Sequence, residues 1–382
     1  MRILTLNHEY PPIGGGGGKA CQDIVGELVH RGHELVILTS NFKGLPKAES
    51  YPNFNLIRVP TARRKLYQAG FLSMGLYILQ AVIKGLQIIK KWKPELIHVH
   101  FAVPAGFAAF VLHRLTGIPY LLTTHLGDIP GGSPEKTEKW FRWVFPFTKP
   151  IWHDAAKVST VSAFTASLVR EKYGITPIVI PNGITVRESL PILRHNSPEI
   201  LFAGRFVAQK NLDVFMDVLE SIRDIPWKCV MLGDGPQYGH ITSRIKQAGL
   251  SDRFSLPGWV EPAQVLSTME QCDILFMPSL TEGLPVVGVQ ALEAGLAIIA
   301  SNVGGFVDLV ENDKNGILCF PMDRQTMVEG LRNLLSNQDK LMQARNYSRE
   351  LAKNFSINEV VDKYESLLLE ISSNSKFRKK QD

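Results

Sequence analysis

The chain reads as an α/β protein of two doubly wound, Rossmann-like domains, each a parallel sheet wrapped by helices. Three observations predict this. At 382 residues the chain has room for two domains of ordinary size. Short apolar and β-branched runs alternate with helical stretches from end to end, and uninterrupted apolar strands between helices mark parallel sheets covered on both faces. The alternation also restarts once, after a segment from Val186 to Pro198 that carries two prolines, mixed charge and no period. The expected division is therefore a first domain over 1–186, a linker over 187–197, a second domain over 198–355 and a terminal helix with a basic tail over 356–382.

In order, the first domain is expected to hold strands at Ile3–Leu6, Leu35–Thr39, Leu56–Val59, Leu96–Val99, Tyr120–Thr124, Val158–Val161 and Ile178–Ile180. The second repeats the pattern at Ile200–Ala203, Cys229–Leu232, Phe254–Leu256, Ile274–Met277, Ala297–Ala300 and Ile317–Phe320. A helical stretch, Ile357–Ile371, follows the last strand. In such folds ligands bind beyond the carboxyl ends of the strands, so the site is expected there, in a cleft faced by both domains.

Composition narrows the class. With 45% hydrophobic and 20% charged residues the chain is globular. Its four cysteines, Cys21, Cys229, Cys272 and Cys319, form no Cys-x-x-Cys pair, which suits free thiols in a reducing compartment. No signal peptide is legible before the first strand, so the expected location is cytoplasmic, the inner face of the membrane being the alternative. The net charge of +6 is partly local, at Arg63-Arg64-Lys65, Lys90-Lys91 with Lys93, and 376–380, and suits anionic partners. Without zinc-finger spacing or an aromatic-rich RNA motif, nucleic acid is not among the expected partners. The apolar stretch Ala69–Ile89 approaches the length of a spanning helix, but Gln80 and Lys84 interrupt it and Pro94 leads at once into a strand. It is expected to cover the first sheet; a peripheral membrane contact through its basic flanks is the competing reading.

Four groups of residues carry chemistry. Arg205 and Lys210 follow the strand Leu201–Ala203 and Gly204. A planar guanidinium and a mobile ammonium together suit a diphosphate and the charge it gains on leaving; a solvated basic loop is the plain alternative. The run Thr281-Glu-Gly-Leu-Pro285, with Gln290 eight residues after Glu282, joins a strand to a helix. An acidic side chain there, beside Gly283, Leu284 and unpaired helix N–H groups, suits a ligand rich in hydroxyls and phosphates. The glycine run Gly14–Gly18 links the first strand to a helix and could admit phosphate or merely be a flexible turn. His125, in Thr124-His-Leu-Gly-Asp128, ends a strand where a polar group can reach substrate, or is a buried histidine satisfied by backbone. Asp128 either binds an acceptor or caps a helix. His100 ends a neighbouring strand, with packing as likely a role as chemistry.

The run Glu282 to Gln290, the Arg205/Lys210 motif some 70–80 residues before it, and the glycine pair Gly15-Gly16 resemble the signature of retaining GT-B glycosyltransferases of family 4. Smaller segments agree in order: Gly233-Asp-Gly-Pro236, Pro257-Gly-Trp-Val260 and Asn182-Gly183. The resemblance covers nearly the whole chain. It implies transfer of a hexosyl unit from a nucleoside diphosphate sugar to a saccharide or lipid-linked acceptor. It also implies front-face chemistry with retention and no cofactor. No Asp-x-Asp occurs to anchor a metal, so none is expected. By the same resemblance Arg205 and Lys210 hold the diphosphate, Glu282 the sugar hydroxyls, and His125 lies near the sugar ring. Gly15, Gly16, Gly233, Gly283, Leu284 and Gln290 complete the donor set. The terminal helix is expected to return to the first domain. Gln290 departs from the family, which has a second Glu there to accept from the ribose diol. Competing readings are a nucleotide-sugar epimerase on the same scaffold, a non-catalytic sugar-nucleotide binder and a membrane-surface scaffold.

Overall fold

A computed structural model describes residues 1–66, 69–132, 145–187, 192, 195 and 197–378, the last four of these by backbone alone. It divides into two units, Met1–Gly183 with Ile357–Asp382, and Ile184–Ser356. The chain thus leaves the first unit at Gly183, earlier than the 187 expected. Arg187 already belongs to the second unit, because its guanidinium grips the Glu293 carboxylate at 2.9 and 2.8 Å and reaches Glu270 at 2.6 Å. Much of the rest of the expected linker lies outside the described residues, as do residues 133–144 and the side chains of the basic tail.

The first unit is an eight-stranded sheet in the order β3-β4-β2-β1-β5-β6-β7-β8. Its strands are β1 (Arg2–Leu6), β2 (Glu34–Ser40), β3 (Ala48–Tyr51), β4 (Phe54–Val59), β5 (Leu96–His100), β6 (Tyr120–Thr124), β7 (Lys157–Thr160) and β8 (Ile178–Val179). All neighbours run parallel except β3, which turns back through Asn53 (φ 58°) to pair antiparallel with β4. The all-parallel expectation is corrected at that edge. Residues alternate between faces, as the pleat requires. Leu4, Leu6, Val36, Leu38, Ile97 and Val99 enter one core, and Ile3, Leu35, Ile37, Leu96 and Leu121 the other. The helices Phe71–Trp92 and Phe107–Thr116 cover the first face. Gly16–His30 and the last helix, Ile357–Arg378, cover the second, the latter inserting Val361, Tyr364 and Leu368. Arg31 seals this contact through Asp362 at 2.5 Å and Glu365 at 2.9 Å.

The second unit is a six-stranded parallel sheet in the order β11-β10-β9-β12-β13-β14. These strands are β9 (Glu199–Ala203), β10 (Lys228–Leu232), β11 (Phe254–Gly258), β12 (Ile274–Met277), β13 (Ala297–Ser301) and β14 (Gly316–Cys319). The chain winds from β9 outward to β11, then returns to β12 on the other side. The reversal falls between the adjacent strands β9 and β12, and an open α/β sheet offers its ligand crevice at that point.

Candidate functional site

The turns beyond the carboxyl ends of β9 and β12 are knitted together. Leu280 N donates to Gln209 O at 2.8 Å, and Gln209 Nε2 donates to Thr281 O at 2.8 Å. This brings residues 72 positions apart into contact: Lys210 Nζ lies 2.5 Å from Glu282 Oε1. Glu282 is only 6% exposed, so its carboxylate depends on that ammonium. Lys210 sits in a 3-10 turn, Ala208–Lys210, ended by Asn211 in the left-handed region (φ 54°). Its side chain lies over Gly204, where a Cβ would come within 3.2 Å of Lys210 Cε. Arg205 points outward, exposed, and its side chain makes no bond among the described residues. One cation is therefore committed to the glutamate, and the other is free to meet an anion.

Glycines let neighbouring turns close on this pair. Gly233 (φ +134°) follows β10, and a side chain there would collide with the Gly204 carbonyl. Gly304 (φ +57°) and Gly305 follow β13; a side chain on Gly304 would strike the Glu282 backbone, and Gly305 N donates to Gly283 O. Leu284 is buried, Gly283 half-buried. The helix Val286–Ala294 starts from Pro285, and Gln290 sits half-buried one turn in. Glu293, the nearest carboxylate along that helix, is held by Arg187 and cannot replace a glutamate at 290. The sequence signals missed Gln209, whose two bonds fix the spacing of the pair.

In the first unit the carboxyl ends of β1, β5 and β6 gather rings. Phe101, in the left-handed region (φ 73°), lies 5.1 Å from the His8 ring and 4.5 Å from the His125 ring, centroid to centroid. His100 stacks on His125 at 5.9 Å. Burial pushes the imidazoles of His8 and His125 down to about 4, so both are neutral at pH 7. His125 Nε2 is buried and makes no hydrogen bond among the described residues. The glycine run faces this cluster, but Gly15 and Gly16 are exposed, and a Cβ on Gly15 would meet nothing within 4 Å. It is Gly17 whose Cβ would meet Phe101 at 2.5 Å and His125 at 3.4 Å, and Gly18 that abuts the Glu9 carbonyl.

Two charged residues near these rings turn inward. Asp128 is buried and accepts from the His125 backbone N–H at 2.9 Å, with the Ala102 and Val103 amides also on its carboxylate. It joins the loops after β5 and β6 and closes the capping box of the short turn Leu126–Asp128, the second of the two roles its sequence allowed. Burial raises its carboxyl to about 7 against those amides. Arg63, counted above in a basic surface cluster, is buried, bonding Glu9 at 3.3 Å and the Lys65 and Leu66 carbonyls at 3.0 and 3.1 Å. A run of cations along the sequence does not reveal which one turns inward.

With this geometry in hand, comparison with known proteins is direct. Residues 188–351 match the family model described as glycosyl transferases group 1, and residues 14–188 the model described as glycosyltransferase family 4. An uncharacterized glycosyltransferase of Methanocaldococcus jannaschii is 28% identical over 93% of this chain and 94% of its own. The 2-deoxystreptamine glucosyltransferase of Streptomyces kanamyceticus is 24% identical over 87% of this chain and 92% of its own. Among solved structures, sucrose-phosphate synthase of Thermosynechococcus elongatus superposes with a TM-score of 0.85 at 18% identity, covering 98% and 99% of the two chains. Anabaena HepE in complex with UDP-glucose superposes with a TM-score of 0.75 at 19% identity, covering 97% and 100%. These structural likenesses establish the fold as GT-B.

Proposed function

The chain belongs to the group-1 glycosyltransferases, and we propose that it transfers a hexosyl unit, with retention, from a nucleoside diphosphate sugar to a saccharide or lipid-linked acceptor. The observation that carries this reading is the Lys210–Glu282 pair beside a free Arg205 at the switch point between β9 and β12. HepE, of like fold, was solved with UDP-glucose, which supports a nucleotide-sugar donor.

In this reading the bond between the anomeric carbon and the diphosphate oxygen breaks as the acceptor oxygen bonds to the same face. The acceptor proton passes to the departing diphosphate. Arg205 and Lys210 meet the growing negative charge, so no metal is required. Glu282 holds sugar hydroxyls, and Lys210, already paired with it, couples sugar position to phosphate position. His125 serves the sugar as a neutral imidazole able to share a hydrogen bond without adding charge. Gly15, Gly16, Gly233, Gly283, Leu284 and Gln290 shape the donor side. A thermal-shift panel of UDP-, GDP- and ADP-sugars tests the reading, because a bound donor stabilises the fold. A donor that raises Tm, is turned over in EDTA and yields a product of unchanged anomeric configuration supports it. An inverted product, or activity abolished by EDTA and restored by Mg²⁺, would overturn it.

A further inference from the structure

The helix Phe71–Trp92 carries an apolar face that stays exposed among the described residues. Ser73, Tyr77, Ala81, Gly85 and Ile88 point into the first core, and the Tyr77 hydroxyl donates to Leu38 O at 2.9 Å. That inner stripe is committed, so the helix cannot leave the sheet to span a bilayer, although it passes for a span by length and mean hydropathy. The opposite side is the anomaly. Leu72, Leu79 and Ile83 are 71%, 54% and 46% exposed, and Phe71 beside Leu72 is 70% exposed. Leu72, Leu79, Ile83 and Lys90 follow one another at seven, four and seven residues, a spacing that lines them along a single face. Single exposed aliphatic residues are ordinary on a protein surface, but a continuous row of them marks a contact.

We infer that this face docks on an anionic lipid surface, the helix lying in the plane of the headgroups. Charge decides between lipid and other occupants. From Phe71 to Trp92 there is no acidic residue, while Lys90 and Lys91 are exposed at one end and Arg64 and Lys65 just before the other. A second copy of this face would bring like charges together, whereas a lipid surface rich in acidic headgroups meets cations at both ends with apolar side chains between them. Lys90 completes the apolar row, where its aliphatic stem can lie along the interface and its ammonium reach a phosphate. This docking is separate from sugar transfer: none of its residues belongs to the proposed donor set.

Co-sedimentation of the full chain with vesicles of phosphatidylglycerol and phosphatidylcholine, against phosphatidylcholine alone, tests the inference. Binding to the anionic vesicles only, weakening as salt is raised, is expected. Leu79→Ser with Ile83→Ser should reduce partitioning by roughly tenfold or more, since burying an aliphatic side chain is worth about that much for each residue. Their Tm should hold, because both side chains are exposed in the fold. Lys90→Glu with Lys91→Glu should abolish the anionic preference. Equal sedimentation of wild type and both variants would overturn the inference. So would a concentration-dependent dimer, seen by ultracentrifugation, that the Leu79/Ile83 variant abolishes.

Discussion

Replacing Lys210 by methionine keeps the stem and removes the ammonium that Glu282 faces. The pair is 2.5 Å apart, and its side chains are 13% and 9% exposed. At an effective dielectric of about 20, charges at that separation attract by roughly 7 kcal/mol. Desolvating both groups consumes much of this, leaving a coupling of about 2–4 kcal/mol. Lys210→Met strands a carboxylate away from water and should lower Tm by roughly 4–16 °C, at about 2–4 °C per kcal/mol for a domain of this size. Glu282→Gln strands an ammonium that is the more exposed partner and should cost less. The double variant removes both charges and should recover most of the loss, so the two effects must not add. Differential scanning calorimetry of the four proteins measures the cycle. Additive losses, or a double variant less stable than Lys210→Met, would show that the pair is not energetically coupled. The proposal that one links phosphate to sugar would lose its physical basis.

Arg205→Ala should leave Tm unchanged and cut kcat/KM by roughly 30-fold or more, as expected for losing about 2 kcal/mol of transition-state stabilisation; retention of more than a third of wild-type turnover would refute its assignment to the diphosphate. Gln290→Glu should fold, remain active and bind donor as well or better, because a carboxylate accepts from a ribose diol more strongly than an amide. Glu282→Gln should instead lower kcat; the opposite pattern in steady-state kinetics would exchange the two positions. Acid should destabilise the first unit. His8 and His125 are held down at about 4 and His98 at about 3 by burial, and His100 well below its usual 6.5. Unfolding frees these groups to take up protons, so the stability present above 6.5 is lost as pH falls toward 4, by about 1.4 kcal/mol per pH unit for each histidine. Asp128, raised to about 7, works in the opposite sense, but it is one group against four. A Tm that stays level or rises between pH 7 and 5 would contradict the buried neutral cluster.

The sheets were legible because fully buried parallel strands show as continuous apolar runs. β3 was not, because Ala-Glu-Ser-Tyr sits at an exposed edge and has no core to write itself into the pattern. The candidate motifs stood out one at a time in the sequence, whereas the Lys210–Glu282 contact did not. It depends on β9 and β12 becoming neighbours and on Gln209 setting the height of one turn against the other. Arg63 was misread, and Asp128 left between two roles, for a common reason. A charged side chain looks the same in sequence whether it faces water or caps a buried set of backbone groups, and the partners that decide this lie on other loops. In the glycine run the resemblance pointed to Gly15 and Gly16, whereas it is Gly17 that lies against Phe101, 84 residues on.

The first unit is not a continuous piece of chain. Its second core closes only when Val361, Tyr364 and Leu368 arrive, and all 173 residues from Ile184 to Ser356 must be made first. At about 5–20 residues per second on the ribosome, the underside of the first sheet, shielded in part by Gly16–His30, waits roughly 10–35 s with the rest of its apolar surface uncovered. During that interval the nascent chain is a client for chaperones, and the second unit can finish folding before the first. A stop codon or a protease cut near residue 356 would leave that surface open permanently, so loss of the terminal helix is expected to appear in the cell as aggregation rather than as a slower enzyme.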